Sequence, residues 1–297
     1  MTTVKPSLSP EGSAPILGEV PGLFTQAVLL SRYQFRDYLR SRRFVLMMAI
    51  VAVIGALLSF VLYDFNGAGL TSSAGAFYGT LWAGGVTVVI IFAGIIFGGD
   101  AIAGEFQNKT GYFLMGLPVQ RSSVYVGKYL AAFTASLVAV VFYFLILIAN
   151  GAHYLGAGAL PYALWESFAV ALLYLLALLG SVFLFSSMFK NSLYAVLVVA
   201  VLFLFGFTVL QDLISGLVHV TPWFILTYAD SIIGGVFNAT CMTMVGPHTC
   251  TTPGPRGTVI TTMVDNATIP EGVAIMIAYF AITAIVGLIL FEREEFT

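Results

Sequence analysis

Apolar positions run almost unbroken through six stretches, at about 44–63, 77–98, 129–149, 167–188, 193–210 and 273–291. Each is close to the ~20 residues that a helix needs to cross a hydrocarbon core. None has Asp, Glu, Lys or Arg at its centre, and Asp64, Asp100, Glu166, Lys190 and Asp212 fall at or beyond the ends. The pattern predicts an all-α integral membrane protein with six transmembrane helices in one domain, 24–297. A charge at mid-membrane is the usual mark of an ion or proton relay, so its absence from the six centres counts against an ion-driven pump.

Before the first stretch the pattern changes twice. Residues 1–23 hold Pro6, Pro10, Pro15 and Pro21 among Ser and Gly, with no apolar core of signal-peptide length, and read as a disordered leader. Over 24–43 the period becomes helical. Phe24, Val28, Phe35 and Leu39 fall in one arc, with Tyr38 beside them and Arg32, Arg36, Arg40 and Arg43 in an adjoining stripe. This predicts an amphipathic helix lying in the membrane interface, its arginines on anionic headgroups; the alternative is a basic flank of the first span.

The long polar-to-apolar mixture at 211–272 is the other departure. Its first half is apolar but broken by Pro222, Gly234 and Gly235, which predicts one or two short helices dipping into the interface, with a seventh span as the alternative. Trp223 and Tyr228 suit the interfacial aromatic belt. Its second half is rich in Thr, Gly and Pro and carries both cysteines, Cys241 and Cys250, either a disulfide or two free thiols. Asn238 and Asn266 open Asn-Ala-Thr glycosylation sequons.

Composition agrees and adds orientation. The chain is 59% hydrophobic and 9% charged, against about 25% charged in a soluble domain. A net charge of −2 gives nucleic-acid binding little electrostatic support. Three scattered histidines and two cysteines offer no metal-ligand spacing, so no metal site is expected. With six spans the termini share a side, and that side would hold every Lys and Arg except Arg256. By the positive-inside rule both termini are cytoplasmic, in a multi-pass protein of the cell membrane.

The polar stretch from Asp100 to Lys128 then becomes a cytoplasmic connector between spans two and three. Ile102, Phe106 and Phe113 share one helical face, and Glu105 and Lys109 form an i,i+4 pair on another. Asp100 is a candidate N-cap, and Gly116 with Pro118 can end the helix. No Gly-x-x-x-x-Gly-Lys-Ser/Thr phosphate loop occurs: Gly127-Lys128 is followed by Tyr129, and Ser122 stands where the first Gly belongs.

The succession Glu105, Lys109-Thr110, Leu117-Pro118-Val119-Gln120-Arg121 and Gly127-Lys128 resembles the signature that type-2 ABC export permeases carry between their second and third spans. Lys109 stands where that family usually has Gly. The resemblance implies a permease subunit, not itself an enzyme, that moves its substrate by alternating access at a permease dimer. Its partners would be a second permease subunit and two cytoplasmic ABC ATPase subunits, which bind the ATP and Mg; this chain would bind no cofactor. It further implies a cytoplasmic coupling helix with Glu105, Phe106, Lys109, Thr110, Pro118 and Arg121 at or near the ATPase contact. Arg32, Arg36, Arg40, Arg43 and Lys128 would anchor the elbow helix and the third span to the inner leaflet. The rival is a secondary carrier or channel without an ATPase, for which Gly84-Gly85 and Gly94 in the second span and Gly206 in the fifth are candidate helix breaks. An intramembrane enzyme lacks support, since His153, His219 and His248 have no carboxylate partners nearby in sequence.

Overall fold

The computed structural model describes residues 22–64, 73–108, 120–156, 158–218, 220–238, 243–253 and 259–293. Among them six helices are long and apolar enough to cross a membrane. They form an up-and-down bundle: α2 (Arg42–Asp64), α3 (Ala74–Ala93, extended by a π-turn Gly94–Gly98), α5 (Arg121–Leu155), α6 (Ala163–Met188), α7 and α9 (Ile269–Arg293). Helix α7 begins as Ser192–Val201 and continues through a π-turn Leu202–Gly206, Phe207–Leu213 and a second π-turn Ile214–Val218. Smaller elements are α1 (Leu23–Arg40), α4 (Ala103–Gln107), α8 (Leu226–Gly235) and the strands β1 (Gly246–Pro253) and β2 (Val259–Asn266). Below, the end of the bundle holding α1, α4 and the close of α9 is the termini end, and the other is the far end.

Several helices outrun the apolar stretches that predicted them. Helix α5 has 35 residues where about 129–149 was expected, because hydropathy fades at Arg121, Lys128 and His153 while the backbone continues. At 1.5 Å per residue it is about 52 Å long, so it tilts or projects beyond a ~30 Å core. The helix starts are chemically marked. Ser73 Oγ accepts from Ala76 N at 3.1 Å at the head of α3, and Asn191 Oδ1 accepts from Leu193 N at 2.9 Å at the head of α7. Thr268 bonds Glu271 at 3.3 Å before Pro270 in the first turn of α9.

The core of the bundle is aromatic and keyed by glycine. Trp82 stacks on Tyr143 with centroids 5.9 Å apart and meets Phe144 edge-on at 5.1 Å, while its Nε1 donates to Ser167 Oγ at 2.9 Å. Helices α3 and α5 exchange tyrosines into glycine notches. The Tyr143 hydroxyl reaches the Leu81 carbonyl at 2.6 Å only because Gly85 has no Cβ to occupy that space, and Gly151 does the same for Tyr78. Gly85 is thus a packing glycine and not a break in α3; nothing lies within 4 Å of the space beside Gly84.

The connection at the far end departs from the all-α expectation. Its first half holds α8, ten residues and far too short to span, so no seventh crossing is present among the described residues. Its second half is an antiparallel hairpin with Gly246 opposite Asn266 and Pro253 opposite Val259. The β-branched runs Thr249, Thr251, Thr252 and Val259 to Val264 favour the pleated form. Cys250 is disulfide-bonded, and Cys241 lies outside the described residues. The sequon residue Asn238 sits at the end of α8 with φ 43°, a left-handed conformation that Asn tolerates. Asn266 closes β2 and donates to the Met244 carbonyl at 2.7 Å.

Candidate functional site

Helix α3 does not end cleanly. After the π-turn, residues 99–102 turn without regular helix and α4 begins at Ala103, so the segment from Gly94 to Gln107 is a broken extension of α3. A π-turn followed by a break leaves backbone groups without helical partners, and buried ones must be satisfied elsewhere. Three neighbouring elements supply the bonds. Tyr38 of α1 donates its hydroxyl to the Phe97 carbonyl at 3.0 Å. Ser186 of α6 accepts from Ile102 N at 3.1 Å and Ala103 N at 3.2 Å. Lys128 Nζ of α5 donates to the Ala101 carbonyl at 2.9 Å.

Two ion pairs tie the same segment down. Arg43 at the start of α2 meets Asp100 at 2.7 Å. Lys128 meets Glu105 in a pair whose side chains keep only 12% and 18% exposure. Burial, and after it the neighbouring Asp100 carboxylate, push the Tyr38 phenol up, so it stays a neutral donor. Beyond the pairs, Gln107 Oε1 accepts from Ser192 N at 2.8 Å and so satisfies the first turn of α7. Phe106 is half-buried and turns its ring edge to Phe291 of α9 at 6.4 Å.

Glycines let the helices close on this junction. A Cβ at Gly127 would come within 2.8 Å of Leu30 Cβ and 2.9 Å of the Ala27 carbonyl, so α1 lies directly on α5 there. A Cβ at Gly98 would press Val182 of α6 at 2.8 Å. The adjacent pair Gly127-Lys128 therefore has two separable tasks: the first residue admits α1, and the second ties α4.

The predicted residues divide accordingly. Arg32, Arg36 and Arg40 are exposed on α1. On α1, Ala27, Leu30 and Tyr38 face the bundle, while Phe24 and Leu39 of the predicted apolar arc are exposed. Arg43 and Lys128, expected at the leaflet, each pair with a carboxylate of the α3–α4 segment. Asp100 pairs with Arg43 and does not cap with its side chain. Glu105 pairs with Lys128, 23 residues away; its predicted i,i+4 partner Lys109 lies outside the described residues, as do Thr110 and Pro118. Arg121 Nη1 donates to the Glu292 carbonyl at 3.0 Å, joining the start of α5 to the end of α9. Spacing within one segment could not reveal Tyr38 and Ser186 as parts of this site, since each comes from a different helix.

One family profile matches the chain, that of the ABC-2 family transporter proteins, and it covers residues 29–296. The chain belongs to that family. No curated protein sequence matches it. As an ABC-2 permease it is a multi-pass transport subunit, and family membership implies ABC ATPase partners and a membrane setting. Among the described residues, no group of three or more His, Cys, Asp or Glu could hold a metal ion.

Proposed function

We propose that this permease is the membrane half of an ATP-driven exporter and that the α3–α4 junction is where ATPase motion enters the bundle. The observation that carries this reading is the anchorage of the broken extension of α3. Its backbone and charges are held by α1, α2, α5 and α6 together, so a push on α4 is shared by most of the bundle rather than lost in a free loop. On this reading the termini end is cytoplasmic, in keeping with its basic residues. Glu105, Phe106 and Arg121, with Lys109, Thr110 and Pro118 beyond the described part, form the inner face presented to the ATPase.

Helix α1 is the elbow: it lies against α5 on one face and offers Phe24, Leu39 and the exposed Arg32, Arg36 and Arg40 to the inner leaflet. The assembly is two permease subunits and two ATPase subunits, with ATP and Mg on the latter. Co-purification on a tagged chain tests the reading. An ABC ATPase should accompany the wild type, and Phe106→Ala should weaken that association or the coupled hydrolysis while insertion stays intact. Transport that survives ATP depletion with no ATP-binding partner would overturn it.

A further inference from the structure

Helix α8 covers the far end of the bundle and carries an acid, Asp230. The helix packs on α3, α6 and α9. It is seated by the Ser167 hydroxyl donating to the Ile233 carbonyl, by Thr227 Oγ1 donating to Gln211 Oε1 at 2.8 Å, and by Ser231 Oγ accepting from Ala267 N at 3.1 Å. Close approach at Gly272, where a Cβ would meet Ile232 at 2.7 Å, completes the seat.

The helix runs antiparallel to α3 and α6, with Gly234 beside Gly79 and Ala83 of α3 and Ile233 beside Ser167 of α6. One turn inward from Ile233 on the same helix is Asp230, near enough for its charge to act on Tyr174 of α6. Tyr174 is fully buried and its hydroxyl has no hydrogen-bond partner; it feels the charge of Asp230.

Among the described residues, no Lys or Arg answers that charge; His219 and Arg256 lie outside them. The titratable groups on the elements packed against α8 are Tyr78 of α3, Glu166 and Tyr174 of α6, Glu271 and Tyr279 of the first half of α9, Asp265 of β2 and Tyr228 of α8 itself. All are acids or phenols; the side chain of Asp212, on α7, is outside the described set. His248 acts on Asp265, and His153 lies against Tyr154. The described Lys and Arg residues are all at the termini end. A half-buried carboxyl without a cation is accommodated by taking up a proton. Burial raises the Asp230 carboxyl to about 7, which lets it hold that proton close to neutrality.

We propose that Asp230, on a helix seated among α3, α6 and α9, is a proton-binding site that controls whether α8 stays seated over the far end of the bundle. Protonated, the carboxyl can stay within the packed far end of the bundle; ionised, it favours leaving for water and draws α8 with it. The seated state binds the proton more tightly than the free helix, whose Asp titrates near the ordinary ~3.9. Seating is therefore strongest in acid, weakens as pH rises toward about 7, and weakens no further above it.

The test uses the full-length, disulfide-intact chain in lipid nanodiscs, so it reads the site whether or not the exporter reading holds. Thr227→Cys, buried when α8 is seated, is labelled with a polar maleimide, and its rate is divided by that of exposed Thr221→Cys at each pH. The ratio should climb by up to about tenfold per pH unit between pH 5 and 6.5 and level off above pH 7. Asp230→Asn should give a low, flat ratio, and Asp230→Glu should keep a slope. Should the cysteine background disturb the seat, emission from Trp82, hydrogen-bonded to the Ser167 that holds Ile233, reports the same transition in a chain that keeps its native cysteines and carries Trp165→Phe and Trp223→Phe. A flat wild-type ratio with pH-independent Trp82 emission, or a slope that persists in Asp230→Asn, overturns the proposal.

Discussion

The Glu105–Lys128 pair is the contact whose removal tests the junction most directly. With 12% and 18% side-chain exposure it is nearly shut off from water, so cutting one partner strands the other. Loss of one member of a buried pair costs about 3–5 kcal/mol in general. Glu105→Ala should fall at or below the low end, about 2–3 kcal/mol, because Lys128 Nζ keeps its bond to the Ala101 carbonyl. Lys128→Met should cost at least as much, since it removes both the ion pair with Glu105 and the bond to the Ala101 carbonyl. Combining Glu105→Leu with Lys128→Met replaces charge by packed hydrocarbon and should recover most of the loss, as exchanging a whole buried pair is often close to neutral. The assay is a thermal unfolding series on the purified permease for the wild type, both singles and the double, with ATPase-coupled transport measured in parallel. Stability should return in the double variant while coupling stays depressed, because an apolar pair no longer fixes the orientation of α4. Single variants within 0.5 kcal/mol of wild type, or a double variant whose loss is the sum of the singles, would refute the argument that this pair fastens α4 to α5.

Other consequences follow from the packing. Gly127→Ala should destabilise by about 1–3 kcal/mol and release α1 to proteolysis, because the new methyl group meets the Ala27 carbonyl at 2.9 Å; Gly84→Ala, with nothing within 4 Å, is the neutral control. Gly85→Ala should be worse than Tyr143→Phe, which removes one hydroxyl bond worth about 1 kcal/mol, and Gly85→Ala with Tyr143→Leu should recover stability because the notch is then empty. Thermal stability should decline from pH 5 to 7 through Asp230, whose folded carboxyl titrates at about 7, and Asp230→Asn should flatten that part of the profile. Reducing the disulfide of Cys250 should increase hydrogen exchange in the β1–β2 hairpin while leaving the six-helix bundle protected.

Six apolar stretches of span length determined six helices because a hydrocarbon solvent leaves a chain few other ways to satisfy its backbone. The succession from Glu105 to Lys128 likewise pointed to the family before any contact was known. Composition alone could not show where each charge would turn. Arg43 and Lys128 read as leaflet anchors and proved to be partners of Asp100 and Glu105, because a break in α3 creates buried polar groups that only the packed bundle brings within reach. Asp230 was hidden for a related reason: the stretch containing it reads as a short interfacial helix, and the acid becomes partly buried only when α8 folds back among α3, α6 and α9. The apolar pattern fixes which segments leave water; the partner of each polar group is fixed by helices that meet across the fold, and those meetings belong to the tertiary structure.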